Sequence, residues 1–264
     1  MELREFLFQP LENRRFRFAI RAREAGVLSG VAALKERAGE AALEVFLMLP
    51  EGSPVSPDQA VLVARGNAEQ VARAEEMLLG TVGKPSGVAT AAAAMVRNAG
   101  RAKIVCGAWK KVGVAVRAEL RQAITTGGAG IRISDRPFIY LDKNYVRMFG
   151  DIRRAVARAR SYDQQRLVAV QLRGEGRPVD VEAAEAVAAG ADIVMVDTGR
   201  LADLRAVVEA GRSDGWLGRV QLAFGGGVAA DKVAEVVEAG ADIVDVGRAI
   251  IDAPLLDFTL DVEG

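Results

Sequence analysis

Two glycine-containing turns are the clearest chemical signal in this sequence. Gly225-Gly226-Gly227 and Gly247-Arg248 each follow a short apolar run and precede a run with helical spacing. A strand-to-helix turn presents unpaired backbone N–H groups at the positive end of a helix, and glycine lets an oxyanion approach them. The pattern predicts a phosphate site made by these five residues, and therefore a phosphorylated small-molecule ligand. A tight turn without a ligand is the alternative interpretation.

Charged residues follow other apolar runs. Asp197 comes directly after 193–196, and Asp142 and Lys143 come directly after 138–141. Carboxyl ends of barrel strands deliver side chains to the active face, so these three are candidate catalytic residues. Solvated charges, or a surface salt bridge from Asp142, are the alternatives. Further candidate substrate-binding cations are Lys110, Lys111 and Arg132.

From Arg101 onward, apolar runs alternate with helical segments, which predicts a parallel α/β barrel. The seven predicted strands are 103–106, 130–133, 138–141, 167–170, 192–196, 220–223 and 242–246. Within this region 188–194 and 238–244 are an internal echo. Each combines a helix end, a glycine C-cap and a buried strand, so the echo indicates repeated βα geometry and not a duplicated site.

In the part of the chain before Arg101, the apolar residues follow a different pattern. Alternating runs at 16–22 and 43–48 predict strands, and 27–37 predicts a helix between them. We expect a small α+β layer. A second helix is expected over 66–79, and the segment 84–87, which contains a proline, is expected to begin a third.

Composition limits the function classes. The chain has 264 residues, half of them hydrophobic, with 35 basic and 35 acidic side chains. This balance gives no reason to expect nucleic-acid or membrane binding. A single cysteine, Cys106, excludes an internal disulfide, and the absence of histidine removes the commonest metal ligand. With no export signal at the start and an apolar stretch at 88–96 too short to span a bilayer, we expect a cytoplasmic protein.

Several motifs together resemble one known family, quinolinate phosphoribosyltransferase, also called nicotinate-nucleotide pyrophosphorylase. The similar segments are 74–79, 86–90, 127–128, 196–197, 225–228, 246–247 and 255–262. The resemblance implies an N-terminal α/β open-faced sandwich over 1–96 and an incomplete TIM-like α/β barrel over 97–255. It also implies that the final strand, within 256–264, returns to the first domain.

The same resemblance has functional implications. It implies a pentosyltransferase that assembles as a homodimer or larger homo-oligomer, with a neighbour's N-terminal domain completing each active site. Asp197 matches a family residue that holds ribose hydroxyls or a metal, which implies Mg²⁺ as cofactor.

Departures from the family pattern matter equally. Glu76 stands where the family has a diphosphate-binding arginine, and Ala169 stands where it has a glutamate. The family's Asp-Thr-Arg-Lys-Thr segment is replaced by 106–111, its His-Arg pair by 131–132, and its Lys-Asp-Asn-His run by 142–145. Losing one charge-assisted contact costs about 1.5–3 kcal/mol, and 1.4 kcal/mol is about tenfold in rate. We therefore expect a divergent paralogue rather than an unchanged parent enzyme.

Three functions remain open at this stage. The leading hypothesis is phosphoribosyl transfer to a pyridine carboxylate or a related acceptor. The second is a lyase, isomerase or synthase acting on a sugar phosphate, with Asp142, Lys143 or Asp197 in acid–base roles. The third is a catalytically silent subunit that binds a ligand.

Overall fold

The computed structural model describes residues 3–263, which fall into two compact units. The first unit comprises the described residues through Ala94, Trp109–Gly128 and the residues from Ile250 onward. The second unit comprises Met95–Ala108 and Ala129–Ala249. The chain therefore leaves and re-enters each unit, and each is described separately below.

Helices and strands alternate along the described residues. The helices are α1 Leu3–Phe8, α2 Val31–Glu40, α3 Ala68–Asn98, α4 Arg117–Thr126, α5 Lys143–Phe149, α6 Ile152–Tyr162, α7 Val179–Ala188, α8 Leu201–Ser213, α9 Val233–Glu238 and α10 Arg248–Ile251. The strands are β1 Phe16–Ala22, β2 Gly26–Val27, β3 Glu44–Met48, β4 Pro54–Val55, β5 Ala60–Gly66, β6 Lys103–Val105, β7 Phe138–Leu141, β8 Leu167–Leu172, β9 Ile193–Val196, β10 Gln221–Phe224, β11 Ile243–Asp245 and β12 Phe258–Val262.

The first unit contains a four-stranded antiparallel sheet in the order β12-β1-β5-β3. Phe18 and Leu62 from the sheet share a fully buried cluster with Leu34 of α2 and Leu78 of α3. Phe46 on β3 is 49% exposed, so helices do not cover it. This arrangement confirms the predicted open-faced sandwich.

Two helix boundaries differ from the sequence prediction. The helix predicted over 27–37 begins only at Val31, because Gly30 adopts a φ of 93° and Val27 belongs to β2. The Glu51 carboxylate takes the place of an N-cap side chain and accepts the N–H groups of Gly30 and Val31 at 3.0 and 2.9 Å. A carboxylate stabilises a helix N-terminus because it satisfies unpaired donors there.

The prediction that a new helix begins at 84–87 is wrong, since α3 runs continuously through Pro85. A proline inside a helix removes one hydrogen bond and costs about 3 kcal/mol, so packing must compensate. Val82 and Val88, on either side of Pro85, are both fully buried. The Ser86 hydroxyl also accepts the Ser29 N–H at 2.9 Å and donates to the Ser29 carbonyl at 3.2 Å. Tertiary contacts therefore override the local signal.

The second unit contains a six-stranded parallel sheet in the order β6-β11-β10-β9-β8-β7. Its inner face is an apolar cluster that includes Val105, Ala169, Met195, Ala223 and Ile243. Strands β6 and β7 occupy the two outer positions, so the sheet is an open barrel, as predicted.

One of the seven predicted barrel strands is absent. Within 130–133 only Gly130 pairs, through a single bridge to Val105, and the chain then bends. Residues 131–133 form a bend and not a strand, so the alternation of Ile131 and Ile133 was a misleading signal. The carbonyl oxygen of Arg132 lies 3.3 Å from where a Cβ of Gly130 would be, which places the turn immediately after the bridge.

The internal echo has a structural cause. Asp192 Oδ2 accepts the N–H of Val168 at 2.7 Å, and Asp242 Oδ2 accepts the N–H of Leu222 at 2.9 Å. Each aspartate thus satisfies a donor at the start of the adjacent strand. The geometry that the two segments share is βα packing, in agreement with the prediction.

No helix among residues 3–263 combines the length and the hydropathy that crossing a bilayer requires.

Candidate active site

The two glycine turns lie at the same edge of the parallel sheet. Strands β10 and β11 are hydrogen-bonded neighbours, with Ala223 opposite Ile243 and Phe224 opposite Val244. Because the strands are parallel, the loops that follow them leave the sheet on the same side. That side is the carboxyl end, where open α/β sheets bind ligands.

The three glycines of the first turn are not equivalent. Gly225 is buried, and a Cβ on it would lie 2.6 Å from Met195 Cε and 3.3 Å from Asp197 Oδ1. Gly226 has a φ of 102°, and its Cβ would meet the Gly199 nitrogen at 2.4 Å. Gly227 has a φ of 96°, and nothing lies within 4 Å of its Cβ position among the described residues. Backbone contacts and a positive φ therefore require glycine at Gly226, Gly225 is surrounded by side chains, and Gly227 leaves open space for a ligand.

The second turn combines a glycine in ordinary van der Waals surroundings with an exposed arginine. A Cβ on Gly247 would lie 3.4 Å from Ala108 Cβ, and the Gly247 carbonyl accepts the Cys106 thiol at 3.7 Å. Arg248 begins α10 and is exposed. The buried thiol thus supports the backbone of this turn.

Asp197, on the strand next to β10, is held by two side chains. Its carboxylate accepts a short hydrogen bond from the Gln171 amide and one from Arg173 Nη1 at 3.2 Å. Arg173 also donates to the Asp197 carbonyl. The Asp197 side chain is 21% exposed, so it is partly desolvated yet accessible. A carboxylate held in this way is pre-oriented to accept hydrogen bonds from hydroxyl groups.

Tyr140 on β7 packs against the apolar cluster of this sheet. Burial raises the pKa of its phenol, and the carboxylates of Asp197, Asp245 and Asp142 raise it further. Tyr140 therefore stays protonated at neutral pH. Asp245 Oδ1, at the end of β11, accepts the Gly107 N–H at 3.1 Å.

The structure places the other predicted residues as follows. Asp142 is the N-cap of α5, since Oδ1 accepts the N–H groups of Asn144 and Tyr145 at 2.8 and 3.1 Å. Lys143 follows it, half-buried, and lines a cavity together with Arg173. Asp197, Gly225 and Lys143 thus come from the same edge of the second unit. The role of Asp142 as acid or base stays a prediction.

The predicted substrate-binding cations belong to different units of the chain. Arg132 is exposed on the bend after Gly130. Lys110 and Lys111 are exposed in a short 3₁₀ helix of the first unit, where the Lys110 ammonium lies 5.7 Å from the centre of the Trp109 ring. Their roles as substrate-binding residues stay predictions.

The sequence analysis did not assign Gln171, Arg173, Tyr140 and Asp245 to the site. A sequence signal for two of them, Gln171 and Asp245, as for Asp197, is the period of two in buried strands, because inward-facing Ala169, Met195 and Ile243 are each followed two residues later by a polar side chain. These side chains are Gln171, Asp197 and Asp245.

The described residues offer limited ligands for a metal ion. Across 3–263, no group of three or more His, Cys, Asp or Glu side chains could hold a metal. A Cβ on Gly225 would lie 3.3 Å from Asp197 Oδ1 and 3.4 Å from Asp245 Cβ, so two aspartates flank this glycine. Mg²⁺ usually binds one or two carboxylates together with substrate phosphates and water. The residues therefore fit a metal that arrives with a phosphorylated substrate.

Comparisons with known proteins cover nearly the whole chain. Residues 88–261 match the family model for the quinolinate phosphoribosyl transferase C-terminal domain, and residues 6–86 match the model for its N-terminal domain. A protein of Archaeoglobus fulgidus described as probable nicotinate-nucleotide pyrophosphorylase [carboxylating] is 30% identical over 240 residues, covering 90% of each chain. The human nicotinate-nucleotide pyrophosphorylase [carboxylating] is 29% identical over 246 residues, covering 92% of this chain and 80% of that one.

Solved structures agree on the fold. The nicotinate-nucleotide pyrophosphorylase from Francisella tularensis superposes with a TM-score of 0.82 at 22% identity, covering 98% of this chain and 90% of that chain. The enzyme of the same name from Pyrococcus furiosus also gives 0.82 at 22% identity, covering 98% and 72%.

Proposed function

Since the chain belongs to the quinolinate phosphoribosyl transferase family, a family of pentosyltransferases, we propose that it transfers a 5-phosphoribosyl group to the ring nitrogen of a pyridine carboxylate. The ring nitrogen attacks the anomeric carbon of phosphoribosyl diphosphate. A C–N bond forms, the C–O bond to the diphosphate breaks, and diphosphate leaves with the bonding electrons.

One observation carries the proposal: the open Gly227 turn follows the strand next to that of Asp197, and the Gly247-Arg248 turn follows the strand after that, at the same edge of the sheet. The backbone of two adjacent strand-to-helix turns suits a terminal phosphate, and an exposed arginine can add a charge-assisted hydrogen bond. Asp197 is placed to accept hydrogen bonds from ribose hydroxyls. The ligand that these residues suit together is a ribose phosphate.

The remaining residues supply orientation and charge. Gln171 and Arg173 hold the Asp197 carboxylate, and the Tyr140 phenol, whose pKa is raised by burial and by this carboxylate, stays neutral. Mg²⁺, bound with the substrate's diphosphate and held by Asp197, would neutralise charge on the leaving group. We propose Arg132, Lys110 and Lys111 as further contacts to anionic substrate groups, and Asp142 as the residue that orients Lys143.

The test is a direct assay of the reaction. The protein is incubated with phosphoribosyl diphosphate, Mg²⁺ and either nicotinate or quinolinate, and both diphosphate and the pyridine nucleotide are measured. Stoichiometric appearance of the two products is expected with at least one acceptor. Repeated absence of both, from protein that binds phosphoribosyl diphosphate in calorimetry, would overturn the transferase proposal and leave a ligand-binding role.

Assembly is a separate proposal. We expect a homodimer or larger homo-oligomer, which light scattering of the purified protein measures. A monomer at micromolar concentration would contradict it.

A further inference from the structure

A cavity of about 520 Å³ lies in the first unit, near the start of β1 and the end of β5. Its volume falls within the range of about 300–1,000 Å³ that is usual for small-molecule sites. Cations outnumber carboxylates among the described residues of its lining. The carboxylate is that of Glu263, and the four guanidinium groups are those of Arg14, Arg15, Arg17 and Arg65. The charge of this lining favours an anionic ligand.

Two phenyl rings of the same cavity orient three of these arginines. The guanidinium carbons of Arg17 and Arg65 lie 5.2 and 5.6 Å from the centre of the Phe46 ring. That of Arg14 lies 5.1 Å from the centre of the Phe16 ring. A guanidinium group over an aromatic ring keeps its planar set of N–H donors available. The rings therefore orient these donors without consuming them.

Carboxylates use part of the donor set. Glu263 accepts Arg17 Nε at 2.7 Å, and this hydrogen bond is the main reason that the pKa of Glu263 lies below its usual value. Arg65 donates from Nε and Nη2 to Glu44 at 3.0 and 2.7 Å. The two acidic groups are thus committed to structural contacts, and both arginines keep further N–H donors.

Arg14 and Arg15 have more donor capacity. Both are exposed, and their guanidinium groups form no hydrogen bond or ion pair with the residues that the structure describes. Each guanidinium group carries five N–H donors and no acceptor. Its forked geometry matches that of a phosphate, because two N–H donors can bind two oxygens at once. The spare donors of the cavity therefore suit a phosphate group.

We propose that this cavity binds a nucleoside phosphate, with the phosphate on Arg14 and Arg15 and the planar base against the ring of Phe46. The Phe46 side chain is exposed, so a ligand can reach it. An aromatic base supplies the flat surface that stacks on a phenyl ring or on a guanidinium plane. The combination of cations and exposed ring area distinguishes this ligand class from a simple anion.

This site goes beyond the proposed transferase activity. Its lining residues belong to the first unit, whereas Asp197 and both glycine turns belong to the second unit. Binding of a nucleoside phosphate to these arginines does not depend on transfer of a phosphoribosyl group. The two proposals can therefore fail independently.

Calorimetry without turnover tests the site. Adenosine diphosphate is the probe, and adenosine and diphosphate are measured separately as its two halves. We expect Arg14→Gln combined with Arg15→Gln to weaken adenosine diphosphate about tenfold or more, because charge-assisted contacts are lost. The matched control combines Arg153→Gln with Arg154→Gln, which removes two adjacent exposed arginines of α6 and should match wild type.

Two further variants test the base and the location. Phe46→Ala should weaken adenosine diphosphate about threefold and leave the affinity for diphosphate unchanged, because only the ring contact is lost. Gly227→Ala alters the proposed active site and should leave the affinity for adenosine diphosphate unchanged. Circular dichroism verifies that each variant is folded.

Three results would overturn the proposal. The first is equal affinity of wild type and the double variant of Arg14 and Arg15 for adenosine diphosphate, or no binding to wild type. The second is a loss of affinity in Gly227→Ala alone, which would place the nucleotide at the glycine turns. The third is an equal loss of diphosphate and adenosine diphosphate in the double variant with no effect of Phe46→Ala, which would leave a simple anion site.

Discussion

At the amino-terminal edge of the parallel sheet, the carboxylates of Asp192 and Asp242 accept main-chain N–H groups from a neighbouring strand, and Asp192 also pairs with Arg160. Asp192 directly precedes β9, and Asp197 directly follows it at the carboxyl-terminal edge. There, Asp197 instead binds the side chains of Gln171 and Arg173. Main-chain donors cannot move without unfolding the sheet, whereas side-chain donors can exchange for a ligand. The same residue type therefore stabilises the fold at one edge and is available for chemistry at the other.

The largest effect is expected at the carboxyl-terminal edge. Asp197→Asn should lower kcat/KM for phosphoribosyl transfer about 100-fold or more, because the variant loses the charge that we propose contacts ribose or metal. Its free energy of unfolding should stay within about 1 kcal/mol of wild type. Steady-state kinetics and urea denaturation of the same preparation measure the two quantities. Unchanged kinetics would show that both edges of the sheet are structural.

The amino-terminal edge should respond in the opposite way. Asp192→Ala leaves the Val168 N–H without its carboxylate acceptor and removes the ion pair with Arg160, so we expect a loss of about 2–3 kcal/mol in urea denaturation. The matched variant Asp242→Ala loses only the main-chain contact and should cost about 1 kcal/mol. In both, kcat of the folded fraction should equal that of wild type. A fall in kcat with unchanged stability would reverse the comparison.

A smaller effect is expected for the open glycine turn. Gly227→Ala should weaken the binding of phosphoribosyl diphosphate about tenfold, since a methyl group enters the space that an oxyanion would occupy. Gly215→Ala is a matched control, because Gly215 also has a positive φ, 69°, and open space around it. Both variants should lose about 1 kcal/mol of stability from backbone strain. Equal affinity in the two would remove the phosphate assignment from this turn.

The smallest effect concerns the pH dependence of stability. Burial and the nearby carboxylates raise the pKa of Tyr140 in the folded state above the unfolded value of about 10. The protonated form is thus favoured by folding, and this contribution is full below pH 10 and decreases as the pH rises above it. Tyr140→Phe should remove this decrease in the free energy of unfolding, which denaturation between about pH 9 and 11, on either side of the reference pKa of about 10, measures. An identical slope in wild type and variant would place the phenol in a solvated environment.

The sequence was sufficient to predict the fold class and most elements of the barrel. The pattern of apolar runs and helical segments predicted six of the parallel strands, because burial on both faces leaves a continuous apolar run. It failed at 130–133 and at Pro85. At 130–133 the alternating apolar residues form no strand. At Pro85 a residue that is unfavourable in a helix stays helical because of contacts with residues distant in sequence.

The candidate site was only partly predictable. Glycines after strands and Asp197 could be identified locally, because turn chemistry depends on neighbouring residues in the chain. The hydrogen bonds of Gln171 and Arg173 to Asp197 could not be predicted, because they depend on a carboxylate on the next strand. The packing of Gly226 against Gly199 was equally inaccessible to sequence analysis, since it joins two separate loops.

Short-range rules therefore specify which segments become strands, which turns carry glycine and where carboxylates follow strands. Tertiary structure alone decides which of those aspartates faces main-chain donors and which faces exchangeable side chains. The reason is that this distinction depends on interstrand neighbours, which are more than twenty residues away along the chain, as Gln171 is from Asp197 and Val168 is from Asp192.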